Sequence, residues 1–432
     1  MNSLKKKLVK NSFAVYGLGA SGRSTIKFLK KNKINFCKWD DSSKVRSIFK
    51  IKNNKKSFFK SLDKVDWIVV SPGINLSKSK FKKILKKNKK KIITDIDLFY
   101  IFNPTIKSIA VTGTNGKSTT CKIIEHIFKK NNIDVKLGGN IGKPVLSLRL
   151  KKNSVFILEA SSFQLANSKF IKPNYAILLN ITNDHLDWHI TKKNYVNSKF
   201  SIFKNQNKND FAFLNNGQFI NIFYKINFKS KLNKVLNKNY YPINSKIENI
   251  YLKSKINQDN MNFVYQLSKK FKITKKSFIL SANSFQGLEH RHELFFKKSN
   301  ITFINDSKAT SFEASKHALI NNKNIFWIVG GQPKKGDKFN LKYFKKNIIK
   351  SFIIGKNAIY FRNKLKKQIK VKVSFKLKNA LESIFKEIIK NHSKPGTVLL
   401  SPSSASYDQY KNFEKRGEEF KKLVKLYAHK YL

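Results

Sequence analysis

The sequence predicts an α/β protein of mostly parallel sheets covered by helices, arranged in three blocks. Three observations predict it. Short apolar, β-rich runs alternate with helical stretches along nearly the whole chain. Glycine-rich loops stand where such runs give way to helices. The chain has 432 residues, too many for one core, so two or three domains are needed. Strands covered on both faces read as continuous apolar runs rather than alternating ones.

The first block spans residues 1–95. Its strands read FAVYGLG (13–19), NFCKWD (35–40), WIVVSPG (67–73) and KIITD (91–95). The second, 96–287, opens with IKSIAVTGTNGKSTT (106–120) and continues through SVFILEASSF (154–163) and NYAILLNITNDH (174–185). The third, 288–432, begins around GLEHRHE (287–293). It carries ITFINDS (301–307), NIFWIVGG (324–331), SFIIG (351–355) and TVLLSPSS (397–404), then a final amphipathic helix. Residues 205–257 are polar, rich in lysine and asparagine, and weakly periodic. Folds of this class bind ligands beyond the C-terminal ends of their strands, and the loops below stand there.

Composition excludes several function classes. No apolar run approaches the ~18 residues of a membrane helix, so no membrane insertion is expected. The opening MNSLKKKLVKNSFAVYGLGASG runs straight into a glycine loop and reads as a first strand, not an export signal. Cys37 and Cys121 are the only cysteines, which implies neither a disulfide framework nor a cysteine metal cage. The cytoplasm is the expected compartment. The net charge of +64 would suggest nucleic acid, yet only six of the 89 basic residues are arginine, the better residue for forked phosphate and base contacts. Lysines spread along the whole chain, with abundant Asn, Ile and Phe, read as the usage of an A+T-biased genome. No nucleic-acid partner is expected.

The first chemical signal is Gly17-x-Gly19-x-x-Gly22, between a strand and a helix, with Asp40 ending the next strand. The glycines permit a tight turn and close approach to a diphosphate at a helix N-terminus. A nicotinamide-dependent oxidoreductase is one reading; another nucleotide diphosphate fits equally well. The second signal is stronger. Gly113–Thr114–Asn115–Gly116–Lys117–Ser118–Thr119 follows a β-run and opens a helix. Its backbone N–H groups can cradle phosphates, Lys117 can neutralise them and Ser118 can ligate Mg²⁺. Val111 stands where a strict Walker A loop has glycine, so the loop is a variant. Glu159 ends an apolar run, well placed for Mg²⁺. His185 lies between two aspartates and reads equally as a salt-bridged surface group. Three further loops follow apolar runs: NDSKAT (305–310), GGQPKKGDKF (330–339) and SPSSASYDQYKNFEKRGEEF (401–420).

Taken in this order, the loops resemble those of the Mur ligases over nearly the whole chain. TGTNGKST is shared by Mur ligases and folylpolyglutamate synthases. ASSFQL (160–165), NDSKAT and LLSPSSASYDQYKNFEKRGEEF (399–420) resemble the D-glutamate-adding branch. The DNPR-type motif of the diaminopimelate- or lysine-adding branch is absent.

The resemblance implies a three-domain architecture: a Rossmann-like N-terminal domain for a UDP-sugar substrate, a P-loop ATPase centre and a Rossmann-like C-terminal domain for the amino acid. It implies a cytoplasmic, monomeric ligase that uses ATP and Mg²⁺ to join D-glutamate to UDP-N-acetylmuramoyl-L-alanine through an acyl-phosphate. Ser21, Gly22, Asp40, Ser71, Gly73, Asn140, Ser161, Gln164 and His185 match positions around the UDP substrate. Gly113 to Thr119, Asn262, Arg291, Asp306 and Lys308 match ATP-side positions, Asn262 that of an adenine contact. Ser118, Glu159, His185 and Lys199 match the magnesium site, Lys199 as a carbamate, with Tyr195 four residues earlier fixing the register. Thr310, Lys334, Ser406 and Phe413 match the D-glutamate pocket; Lys335 adjoins Lys334 and competes for that match.

Overall fold

A computed structural model of the chain describes residues 10–432, apart from 52–53, 150, 152, 183, 216, 254, 335, 338 and 391–394. The chain divides into two compact units, one through Phe285 and one from Gln286.

The first unit holds two parallel sheets. One contains β1 (Phe13–Tyr16), β2 (Phe36–Trp39), β3 (Trp67–Val70) and β4 (Ile92–Ile93) in the order β2-β1-β3-β4. β1 is central and wholly buried because both faces are covered. The helix Ala20–Lys31 follows it and buries Gly22, Ile26 and Leu29. The order reverses at β1, with β2 on one side and β3 on the other, so the loops after β1 and β3 flank a switch point.

The other sheet contains β5 (Lys107–Thr112), β6 (Val135–Gly139), β7 (Val155–Glu159), β8 (Tyr175–Leu178), β9 (Phe211–Leu214) and β10 (Lys231–Lys234), ordered β10-β9-β8-β5-β7-β6. β5 sits between β7 and β8, and Val111 pairs with Glu159 on one side and Ile177 on the other. That register brings the loops after β5, β7 and β8 to one end of the sheet. β9 and β10 lie in the weakly patterned stretch 205–257. β10 reads Lys-Leu-Asn-Lys because an edge strand needs little apolar surface.

The second unit holds β11 (Glu293–Lys298), β12 (Ile301–Asn305), β13 (Ile325–Gly330), β14 (Ile348–Ile354), β15 (Val371–Phe375) and β16 (Gly396–Leu400). The order is β11-β12-β16-β13-β14-β15. Every pair is parallel except the β11–β12 hairpin. β16 returns between β12 and β13, so the loops after these three strands adjoin. The helix Phe413–Tyr431 is capped by the Asn412 side chain, which accepts from the Lys415 N–H, and packs Phe420 and Val424 into the core. Among the described residues no helix is long and apolar enough to cross a membrane.

Candidate active site

The phosphate loop begins where β5 ends. Gly116 caps the helix Lys117–Lys130 in the left-handed region at φ 84°, and a Cβ there would stand 2.4 Å from Asn260 Oδ1. Glycine is required on both counts. The loop is braced from β8: Thr114 N–H donates to the Asn180 carbonyl at 2.9 Å, and Asn115 N–H to Asn180 Oδ1 at 2.9 Å. Lys117 Nζ folds back onto the Gly113 and Thr114 carbonyls at 2.8 and 2.7 Å. Ser118 and Thr119 are buried in the first helical turn.

Glu159 is buried at the end of β7. Its Oε1 accepts from Asn140 Nδ2 at 2.8 Å, while Oε2 is buried with no hydrogen-bond partner. A carboxylate oxygen so placed is costly unless a cation meets it. Lys199, on the helix Lys192–Phe200, is 1% exposed. Its Nζ donates to the Gly113 carbonyl at 2.7 Å and lies 4.7 Å from the Tyr195 ring centre. Burial, and then the neighbouring Lys117 charge, lowers its pKa to about 7. The Tyr195 hydroxyl shares a 2.9 Å hydrogen bond with Thr114 Oγ1, tying this helix to the phosphate loop. His185 adopts φ 53° at the start of Leu186–His189, with its ring 4.7 Å from Phe163. Burial holds its imidazole below the ordinary pKa, which favours the neutral, ligating form.

Among the described residues no three His, Cys, Asp or Glu side chains cluster as a metal cage. Magnesium does not need one, since it keeps waters and binds through one or two carboxylates plus substrate phosphates. The partnerless Glu159 oxygen, beside the loop that carries Ser118, fits that pattern.

A pocket of about 240 Å³ adjoins the phosphate loop, lined among others by Asn180, Thr182, Asp259, Asn260 and Phe263. Asn262 does not line it; its Nδ2 donates to Asn237 Oδ1 at 3.2 Å. It is adjacent to Phe263 on the helix Lys255–Lys270, about 100° away around the axis. Asp259, Asn260 and Phe263 are the residues of this helix that line the cavity. Asn180 and Asn260 were not singled out from the sequence. Asn180 carried one usable signal, its position just after an apolar strand.

In the first sheet, Gly17 has φ 90°, and a Cβ on Gly22 would stand 1.9 Å from the Gly17 carbonyl oxygen. Asp40 Oδ2 accepts from Leu18 N–H at 2.7 Å and Oδ1 from Ser42 N–H at 2.9 Å. Ser71 Oγ donates to the Gly17 carbonyl at 2.7 Å. Asp40 and Ser71 thus hold the glycine loop from both sides, while Ser21 lies beside the buried Asp95 carboxyl and Gly73 is exposed. Asn75 Nδ2, just beyond, donates to the Trp188 carbonyl at 3.1 Å, joining this loop to the segment after His185. Ser161 and Gln164 form a capping box on the helix Ser162–Asn167, a structural employment the sequence reading did not foresee.

In the second unit, Asp306 is buried and accepts from Ser401 Oγ at 2.7 Å and His292 N–H at 3.0 Å. Burial raises its pKa to about 7 against the nearby Arg291. Lys308 Nζ lies 5.3 Å from the Phe413 ring centre. Ser406 is buried, whereas Thr310 and Lys334 are exposed, and Lys335 lies outside the described residues. Paired bonds between Gln332 and Ala405, at 2.8 and 3.1 Å, join the loop of Lys334 to that of Ser406.

Comparison with known proteins fits this geometry. Residues 11–93 match the family described as Mur ligase MurD-like, N-terminal domain, and 111–283 match the Mur ligase middle domain. A Rickettsia prowazekii protein named UDP-N-acetylmuramoylalanine–D-glutamate ligase is 35% identical over 98% of this chain and 99% of its own. A protein of that name from Aquifex aeolicus is 33% identical over 96% of this chain and 99% of its own. The crystal structure of a MurF ligase from Thermotoga maritima in complex with ADP covers 98% of this chain and 99% of its own, with TM-score 0.54 and 16% identity, a likeness of fold. With relatives this similar along nearly their full length, the chain belongs to the Mur ligase family.

Proposed function

We propose that this enzyme joins D-glutamate to UDP-N-acetylmuramoyl-L-alanine at the expense of ATP, in the cytoplasm, as a step of peptidoglycan precursor synthesis. The observation that carries the ATP chemistry is the convergence of Lys117 and Lys199 on the loop after β5, next to the partnerless oxygen of Glu159. The names borne by the full-length relatives support the choice of substrates. The matched segments, 11–93 and 111–283, support boundaries near 95 and 287; on that division 1–95 takes the UDP substrate, 96–287 takes ATP and 288–432 takes the amino acid.

The γ-phosphoryl group of ATP passes to the substrate carboxylate, releasing ADP and leaving an acyl-phosphate. The amine of D-glutamate attacks the acyl carbon, loses a proton, and phosphate departs as the amide forms. The protein's part is to position two anions and offset their charge. Backbone N–H groups from Gly113 to Thr119 cradle the phosphates, and Lys117 turns from its own loop carbonyls to them. Glu159, Ser118, His185 and a carbamylated Lys199 would hold magnesium, which supplies charge neutralisation at the phosphates. The loops after β1 and β3 hold the uridine diphosphate. Thr310, Lys334, Ser406 and Phe413 hold D-glutamate. The enzyme works as a monomer.

Phosphate release is the test. With ATP, Mg²⁺ and UDP-N-acetylmuramoyl-L-alanine, D-glutamate should drive turnover, and L-glutamate, L-lysine and diaminopimelate should not. A preference for any of those three would overturn the reading.

A further inference from the structure

Arg416 is a cation in the interior of the second unit. It stands one turn into the helix Phe413–Tyr431 and is 1% exposed. Its Nε donates to Ser307 Oγ at 3.0 Å, and its Nη2 donates to the Ser307 carbonyl at 2.8 Å and the Ser404 carbonyl at 3.0 Å. Ser307 Oγ in turn donates to the Phe413 carbonyl at 2.8 Å. Nη1 is buried with no hydrogen-bond partner. It lies against the loop after β13, since a Cβ on Gly331 would stand 3.2 Å from it. One guanidinium therefore touches the loops that follow β12, β13 and β16.

A structural role alone leaves two features without a reason. The acceptors of Arg416 are carbonyl and hydroxyl oxygens, and no carboxylate bonds it. Asp408 attracts the guanidinium without bonding it, and its Oδ2 accepts from the Lys356 N–H instead. A buried charge without an ionic partner is costly, and a neutral side chain would tie the loops at less expense of stability. Burial lowers the guanidinium's pKa only to about 10, so it stays charged at neutral pH. The three loops it joins also carry Thr310, Lys334 and Ser406, and Phe413 opens the helix that holds Arg416.

Resting on the D-glutamate reading above, we infer that Arg416 is a positioning residue of the amino-acid site. It holds the three loops in register and sets a fixed positive charge beneath them that draws the carboxylates of the incoming amino acid. Ser307 relays its position to the Phe413 backbone.

Steady-state kinetics of the full-length enzyme with each substrate varied in turn test this. Arg416→Lys keeps the charge and loses the fork; Arg416→Met loses both. The KM for D-glutamate should rise at least about tenfold in the lysine variant and more in the methionine variant, on the scale of a lost charge-assisted hydrogen bond. The KM values for ATP and the UDP substrate should stay within about twofold. A folded Arg416→Lys enzyme with an unchanged D-glutamate KM, or with all three KM values raised alike, overturns the inference. Should both variants fail to fold, Ser307→Ala decides, because it leaves the cation in place and removes the Nε acceptor. A rise confined to the D-glutamate KM supports the inference, and an unchanged value overturns it. Wild-type enzyme with no D-glutamate-dependent phosphate release would instead sink the reading on which the inference rests.

Discussion

Lys117 and Lys199 direct their ammonium groups at the same atom, the Gly113 carbonyl oxygen, at 2.8 and 2.7 Å. The two reach it from different elements, one from the phosphate-loop helix and one from the helix Lys192–Phe200. Two like charges at one carbonyl repel, and the more buried of them carries the cost. Lys199 accordingly has its pKa lowered to about 7, first by burial and then by Lys117. At neutral pH a substantial fraction of it is an uncharged amine, the form that reacts with carbon dioxide.

That amine is expected to be carbamylated in the active enzyme. An ammonium has no lone pair for a cation, whereas a carbamate offers anionic oxygen. Labelled bicarbonate should give a carbamate carbonyl resonance in the wild type that Lys199→Ala lacks. The alanine variant should lose most activity, with partial recovery on adding formate. A fully active Lys199→Ala enzyme rules this out.

Stability should follow the same group in bicarbonate-free buffer. The folded pKa is about 7, below the ordinary lysine value of 10.5. Between those values the unfolded chain binds more protons than the folded one, so stability contributed by this site rises with pH. Below pH 7 both states are protonated and the burial cost is fully present. The melting temperature of the wild type relative to Lys199→Met should therefore climb from pH 7 toward pH 10. A flat difference would show that the amine is not desolvated as described.

Lys117→Ala should lower turnover by at least about 10²-fold, the scale of losing one preorganised electrostatic group. Single-turnover phosphoryl transfer locates the loss in chemistry. Near-normal turnover in a folded variant would place the transferred phosphate elsewhere.

Much of this site is legible in the sequence, for reasons that differ from residue to residue. Gly116 is forced by a positive φ and by Asn260, so the loop shows itself as a pattern. Glu159 shows itself because a charged residue closes a fully buried strand. Lys199 does not, since nothing local separates it from the chain's other lysines, and only the resemblance picked it out. Its physical mark is tertiary, a buried amine on the Gly113 carbonyl. Asn180 and Asn260 were missed for the same reason, because the loop that Asn180 bonds and Asn260 abuts lies far away in sequence. Edge strands such as β10 escape notice because they bury little and need no apolar period.

The glycine loop of the first sheet should bind the UDP substrate and not a nicotinamide. Asp40, the acid that would hold a ribose, gives its oxygens to the Leu18 and Ser42 N–H groups. Calorimetry should detect the UDP substrate and neither NAD nor NADP. Gly22→Ala, whose Cβ would meet the Gly17 carbonyl oxygen at 1.9 Å, should abolish that binding. Tight NAD binding would revive the dehydrogenase reading.

Glu159 gives the sharpest test of the metal site. One of its oxygens is held by Asn140 Nδ2 at 2.8 Å, and the other is buried without a partner. Glu159→Gln preserves shape and can preserve the Asn140 bond through its carbonyl oxygen. It replaces the partnerless anionic oxygen by an amide nitrogen, which donates and cannot ligate a cation. The Mg²⁺ concentration for half-maximal activity should rise at least about tenfold, in line with the loss of one hard anionic ligand. The KM for D-glutamate should change little, because that pocket draws on other loops. The variant should be no less stable than the wild type in metal-free buffer, since removing an uncompensated buried charge relieves its desolvation cost. An unchanged Mg²⁺ requirement in a folded Glu159→Gln enzyme would mean that this oxygen faces no metal.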